Sequence, residues 1–84
     1  MSQVKMYVTT WCPYCEQAKR LLRSLDVSWS ETNIEEEGLS RAELAQLTGG
    51  FTVPQIVING KSVGGFDDLY ALNQSGRLGA LLEH

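Results

Sequence analysis

The run Ile56-Val57-Ile58-Asn59-Gly60-Lys61-Ser62-Val63 constrains this chain more than any other segment. Adjacent Asn and Gly supply the positive φ angles of a two-residue turn whose twist suits an antiparallel pair, so the flanking runs form a β-hairpin. A hairpin alone is marginal in water, and the rest of the chain must cover it.

Around that hairpin, helices and strands alternate. Val4 to Thr9 is β-rich and reads as a buried strand. From Pro13 to about Leu25, Ala18, Leu21, Leu22 and Leu25 recur at helical spacing, with Lys19, Arg20 and Arg23 on the other face. Pro13 suits the first helical position, where its missing N–H is no loss. Val27 to Ile34 reads as a second strand, with Val27, Trp29 and Glu31 alternating against polar neighbours. Ser40 and Glu43 then form a capping-box pattern, Leu39 and Leu44 stand in staple positions, and Gly49-Gly50 ends the helix they open. After Gly64-Gly65 a last helix opens around Asp67 and contains Leu69, Tyr70 and Leu72. Gly76 breaks it, and a short apolar tail follows. The expected order is β-α-β-α-β-β-α, an α/β chain.

At 84 residues, 43% apolar and 20% charged, residues 1–84 make one domain near the size where a single core only modestly suffices. Small domains often lean on disulfides or zinc, but both cysteines lie in Cys12-Pro13-Tyr14-Cys15. A bridge closing so short a loop restrains the unfolded chain little. Zinc needs about four ligands, and two cysteines with the terminal His84 do not supply them, so no metal is expected. Leu82-Glu83-His84 matches the start of a hexahistidine-tag junction as well as a native ending, and His84 is given no function. There is no stretch of signal-peptide or membrane-span character, which with the cysteine usage points to a reducing cytoplasm. A net charge of −3 offers no basic footprint for nucleic acid. The run Glu35-Glu36-Glu37 reads as a solvated loop entering a helix.

The cysteines therefore read as chemistry. Cys12 falls at the N-cap of the first helix, where unpaired amides and the helix dipole favour an anion and lower a thiol pKa from about 8.5. Cys15 lies in register with Ala18 and Leu22 and points inward. Two thiols of unequal acidity within disulfide reach are what dithiol exchange requires: the outer thiolate attacks and the inner thiol displaces the product. A Cys-x-x-Cys that follows a strand and opens a helix is a redox pattern. Trp11, just before the pair, is expected to pack at the strand end rather than to wall the sulfur. Tyr14 is expected to be exposed and to meet a partner or substrate.

These residues resemble the glutaredoxin family, in particular its small bacterial dithiol members. The matching pieces are Cys12-Pro13-Tyr14-Cys15, Thr52-Val53-Pro54-Gln55 and Gly64-Gly65-Phe66-Asp67-Asp68-Leu69, in order and over essentially the whole chain. The resemblance implies a thioredoxin fold, with a four-stranded mixed sheet flanked by helices. It implies a monomeric enzyme that uses glutathione as reducing co-substrate to reduce protein disulfides and glutathionylated proteins, with glutathione reductase acting indirectly. It implies a cis Val53-Pro54 bond that turns the Val53 backbone toward Cys12, to pair with glutathione as an added strand would. Gly65 and Phe66 would bring helix-start amides to the γ-glutamyl carboxylate and Asp67 would take the neighbouring ammonium, while Asp68 is structural. Tyr14, Thr52, Val53, Pro54, Gly65, Phe66 and Asp67 complete the implied glutathione site.

Three positions depart from the family pattern. Thr9 and Thr10 stand where a lysine is frequent, Gly50-Phe51 where a basic residue often precedes Thr-Val-Pro, and Phe66 where a further cysteine is common. The first two remove cations that meet the glycyl carboxylate, so weaker glutathione binding is expected. Two other readings share the motif. A redoxin served by thioredoxin reductase or another small thiol is not expected to carry Gly-Gly-x-Asp-Asp. A glutathione-ligated iron–sulfur carrier is disfavoured by the stiff Pro13 and the competing Cys15 thiol.

Overall fold

Val4, Met6 and Val8 turn to one side of β1 (Val4–Val8) and Tyr7 to the other, and this alternation decides what covers each face of the sheet. The computed structural model describes residues 3–82; Glu83 and His84 of the tag-like ending lie outside the described residues. β1 is central. It pairs in parallel with β2 (Ser30–Asn33) and antiparallel with β3 (Gln55–Ile58), which pairs antiparallel with β4 (Lys61–Gly64). The mixed four-stranded sheet has the order β2-β1-β3-β4.

The Val4–Met6–Val8 face meets Ile56 and Ile58 of β3, and is covered by α1 (Pro13–Ser24) through Cys15, Ala18 and Leu22 and by α3 (Phe66–Gln74) through Leu69. Tyr7 packs on the opposite side with Ile34 and with Leu44 of α2 (Arg41–Thr48). Leu22, Leu44 and Leu69 are fully buried, so truncating any of them to alanine should cost about 2–5 kcal/mol.

The local signals appear as chemistry demands. Asn59 and Gly60 adopt φ of 52° and 83° at the hairpin turn. Both capping-box bonds form: Glu43 N–H donates to Ser40 Oγ at 3.0 Å, and Ser40 N–H to Glu43 Oε1 at 2.9 Å. Gly49 closes α2 in the left-handed region at φ 87°.

Two elements depart from the sequence reading. The second strand starts at Ser30 rather than Val27, because the Val27 amide donates to the Leu22 carbonyl at 3.0 Å and belongs to the turn closing α1. Glu31 does not continue an inward alternation; it is exposed and accepts from Trp29 Nε1 and Lys19 Nζ. The apolar tail is a further helix, α4 (Arg77–Leu82), so the order gains a terminal α. Six residues do not hold a helix alone. Burial of Leu78 and a 3.0 Å bond from Asn59 Nδ2 to the Leu81 carbonyl supply what local propensity lacks. No helix among the described residues is long and apolar enough to cross a membrane.

Candidate active site

Only Thr9, Thr10 and Trp11 separate the end of β1 from Cys12, which is extended at φ −152°, ψ 99° as the N-cap of α1. Pro13 follows at the first helical position. The Cys15 N–H donates to Cys12 Sγ at 3.1 Å, so a first-turn amide points at the sulfur. Cys15 is 1% exposed and Cys12 only partly buried, the inequality that helical register predicts. The two are joined as a disulfide with Cα atoms 5.1 Å apart.

The loop between α2 and β3 brings a second backbone to this sulfur. The Val53-Pro54 peptide bond is cis, and the Val53 carbonyl oxygen lies 3.7 Å from Cys12 Sγ. Pro54 is buried, and the buried polar side chain of Gln55 donates from Nε2 to Thr52 Oγ1 at 3.3 Å.

From this loop a groove of about 640 Å³ runs toward the start of α3. Thr52, Val53 and Pro54 line one wall, Gly65, Phe66 and Asp67 the other, and Tyr14 overhangs it. The Tyr14 and Phe66 rings stack with centroids 6.5 Å apart. Gly65 is the N-cap of α3 and offers no side-chain acceptor to its first turn. Asp68 Oδ2 accepts from the Gly65 N–H at 3.1 Å, whereas the Asp67 carboxylate is exposed and makes no hydrogen bond among the described residues. The need for glycine is sharper at 64 than at 65. Gly64 sits at φ 104°, where a Cβ would run into the Asp68 carboxylate, while one on Gly65 would meet only the Pro54 carbonyl at 3.4 Å, an ordinary contact.

The Glutaredoxin family model matches residues 4–63. The chain is 49% identical over 82 residues to a glutaredoxin of Pseudomonas aeruginosa, covering 98% of each. It is 45% identical over 83 residues to glutaredoxin 3 of Escherichia coli, covering 99% of this chain and all of that one. The chain belongs to the glutaredoxin family. A buckwheat glutaredoxin–glutathione complex superposes with a TM-score of 0.87 at 28% identity, over 96% of this chain and 76% of that one. The fold is thus the thioredoxin fold of the glutaredoxins, and the enzyme is a thiol–disulfide oxidoreductase whose dithiol motif is the Cys12–Cys15 pair.

Within this glutaredoxin site one expectation fails. Trp11 does not pack at the strand end; it is 82% exposed. Residues 9–11 leave β1 as a bend toward α1, and it is Val8 before them and Cys15 after them that enter the core. One group was missed. Arg41 Nη1 donates to the Phe51 carbonyl at 3.0 Å, which places a cation beside the loop where the family's basic residue is absent. Arg41 stands directly after the Ser40 N-cap, and only the fold shows that this start of α2 reaches Phe51.

Proposed function

We propose that this glutaredoxin uses glutathione to reduce glutathionylated proteins and protein disulfides, with Cys12 attacking and Cys15 resolving. The observation that carries the reading is the groove itself. It begins where the Val53 carbonyl meets Cys12 Sγ and ends at the start of α3, where the Gly65 N-cap has no side chain to accept from the first-turn amides. A glutathionyl group joined to Cys12 can pair with the Val53 backbone as an added strand. Its γ-glutamyl carboxylate reaches the first-turn amides of α3, and Asp67 receives the ammonium beside it. Arg41 supplies the cation for the glycyl carboxylate, since Thr9, Thr10 and Phe51 do not. Tyr14 and Phe66 close over the peptide between these ends.

For a glutathionylated protein, the Cys12 thiolate attacks the glutathione sulfur. A Cys12–glutathione disulfide forms, the protein–glutathione bond breaks, and the protein sulfur leaves with the electron pair and takes a proton. A second glutathione thiolate attacks the bound glutathione sulfur, releasing glutathione disulfide and the Cys12 thiolate. For a protein disulfide, Cys12 bonds to one protein sulfur and expels the other. Cys15 then attacks Cys12 Sγ, frees the remaining protein thiol and leaves the Cys12–Cys15 disulfide, which two glutathione molecules reduce. The Cα separation of 5.1 Å lies within the range for a disulfide, so this resolving step needs no large backbone movement. The Cys15 amide favours the Cys12 thiolate at the start and end of each cycle. The setting is a reducing cytoplasm, and the enzyme acts as a monomeric single domain.

A coupled assay tests the reading: NADPH oxidation with glutathione and glutathione reductase, against thioredoxin reductase alone. Turnover is expected in the first mixture. Turnover only in the second would overturn glutathione dependence.

A further inference from the structure

Trp11 is the most exposed large apolar side chain among the described residues and stands next to the attacking cysteine. Its indole N–H makes no hydrogen bond, and its ring makes no aromatic or cation–π contact, among those residues. Tyr14 and Phe66, by contrast, stack on each other over the groove. Trp11 does not line that groove.

The backbone that carries the ring is nevertheless held. The Thr10 N–H donates to Glu35 Oε1 at 3.0 Å, Asn33 Nδ2 donates to Thr10 Oγ1 at 3.2 Å, and Thr9 Oγ1 donates to the Trp11 carbonyl at 3.4 Å. Asn33 Oδ1 in turn accepts from the Glu35 and Glu36 amides at 3.0 and 3.2 Å. A bare aromatic ring on a tethered loop loses little freedom when a partner covers it.

What covers it follows from the exchange reaction, on which this inference rests. When Cys12 attacks a glutathionylated protein, the protein sulfur lies one S–S bond beyond the glutathione sulfur, about 4 Å from Cys12 Sγ when the bonds lie in line. Glutathione fills the groove walled by Val53 and Phe66. The polypeptide must therefore lie on surface next to Cys12 that the groove does not use, and Trp11 is the large side chain presented there. We propose that Trp11 docks the polypeptide half of the substrate, packing on an apolar or aromatic side chain beside the target cysteine. Trp11 is thus a specificity-determining residue that discriminates among protein substrates without contributing to attack on the glutathione sulfur.

The test compares wild type, Trp11→Ala and Trp11→Phe on three glutathione mixed disulfides: 2-mercaptoethanol, a short peptide with phenylalanine beside the cysteine, and the same peptide with glycine there. Trp11→Ala should lower kcat/KM for the phenylalanine peptide about tenfold, through KM, and Trp11→Phe should restore most of it. Turnover of the mercaptoethanol and glycine substrates should stay within about twofold. An equal loss on all three substrates, or no loss on any, would overturn the docking role while leaving glutathione use intact. Wild-type protein inactive on all three would overturn the glutathione reading and this inference with it.

Discussion

Arg41 and Phe51 are joined by a 3.0 Å hydrogen bond from the Arg41 guanidinium to the Phe51 carbonyl, which ties the first residue of α2 to the loop carrying Thr52 and Val53. The guanidinium has donors left over after this bond. Arg41→Ala should therefore raise KM for a glutathione mixed disulfide about fivefold to tenfold with little change in kcat, the size expected for one charge-assisted contact. The effect should shrink with added salt. Phe51→Lys, which places a cation on the same loop, should lower KM in the Arg41→Ala background. Unchanged KM in Arg41→Ala would assign Arg41 to loop tethering alone.

With Cys12 proposed to attack and the buried Cys15 to resolve, the two activities should separate. Cys15→Ser should keep most reduction of glutathione mixed disulfides, because a second glutathione regenerates Cys12 directly. It should lose most reduction of protein disulfides, where the intermediate waits for an internal thiol. Cys12→Ser should lose both. Parallel assays on the two substrate classes check this, and loss of both activities in Cys15→Ser would contradict the division.

What was legible in the chain was what neighbours in sequence decide. Asn59-Gly60, the Ser40–Glu43 box and Cys12 at the N-cap each act within four residues, and each takes the geometry its chemistry requires. Cys15 follows from helical register alone. The remaining features depend on distant partners. α4 exists because Leu78 is buried and Asn59 reaches Leu81; β2 begins late because Val27 is bonded to Leu22. Arg41 meets Phe51 only once α2 and the following loop are packed, and Trp11 is exposed although its apolar character favours burial. The cis Val53-Pro54 bond was expected from the family resemblance, since an ordinary strand-start proline reads the same way locally.

Asp67 and Asp68 are adjacent acids with opposite assignments. Asp68 accepts from the Gly65 amide and closes the start of α3, so Asp68→Ala should cost about 1 kcal/mol of stability, as loss of a cap does. Asp67 makes no such bond among the described residues, so Asp67→Asn should leave the melting temperature nearly unchanged. It should instead raise KM for glutathione mixed disulfides about tenfold, through loss of the ammonium contact. Thermal melts and steady-state kinetics on both variants separate the two roles. A large loss of stability in Asp67→Asn with KM unchanged would reverse the assignment.

Acid should weaken the start of α2. The Ser40 backbone amide, and then its hydroxyl, hold the Glu43 carboxyl below its ordinary pKa. The unfolded chain therefore takes up this proton at higher pH than the folded chain does. The stability contributed by the carboxylate is fully present above the unfolded value of about 4.3 and is lost as pH falls through the lower folded value. Glu31 is shifted in the same direction: burial opposes its charge, but the bonds from Trp29 and Lys19 outweigh it. A single acid denaturation curve would mix the two. The difference between wild type and Glu43→Ala isolates the cap, because Glu31 is present in both. Urea midpoints measured stepwise from neutral pH to about pH 3 should show a gap that is widest at neutral pH and narrows below about pH 4. A gap that stays constant across that range would mean that the Glu43 charge contributes nothing to the cap.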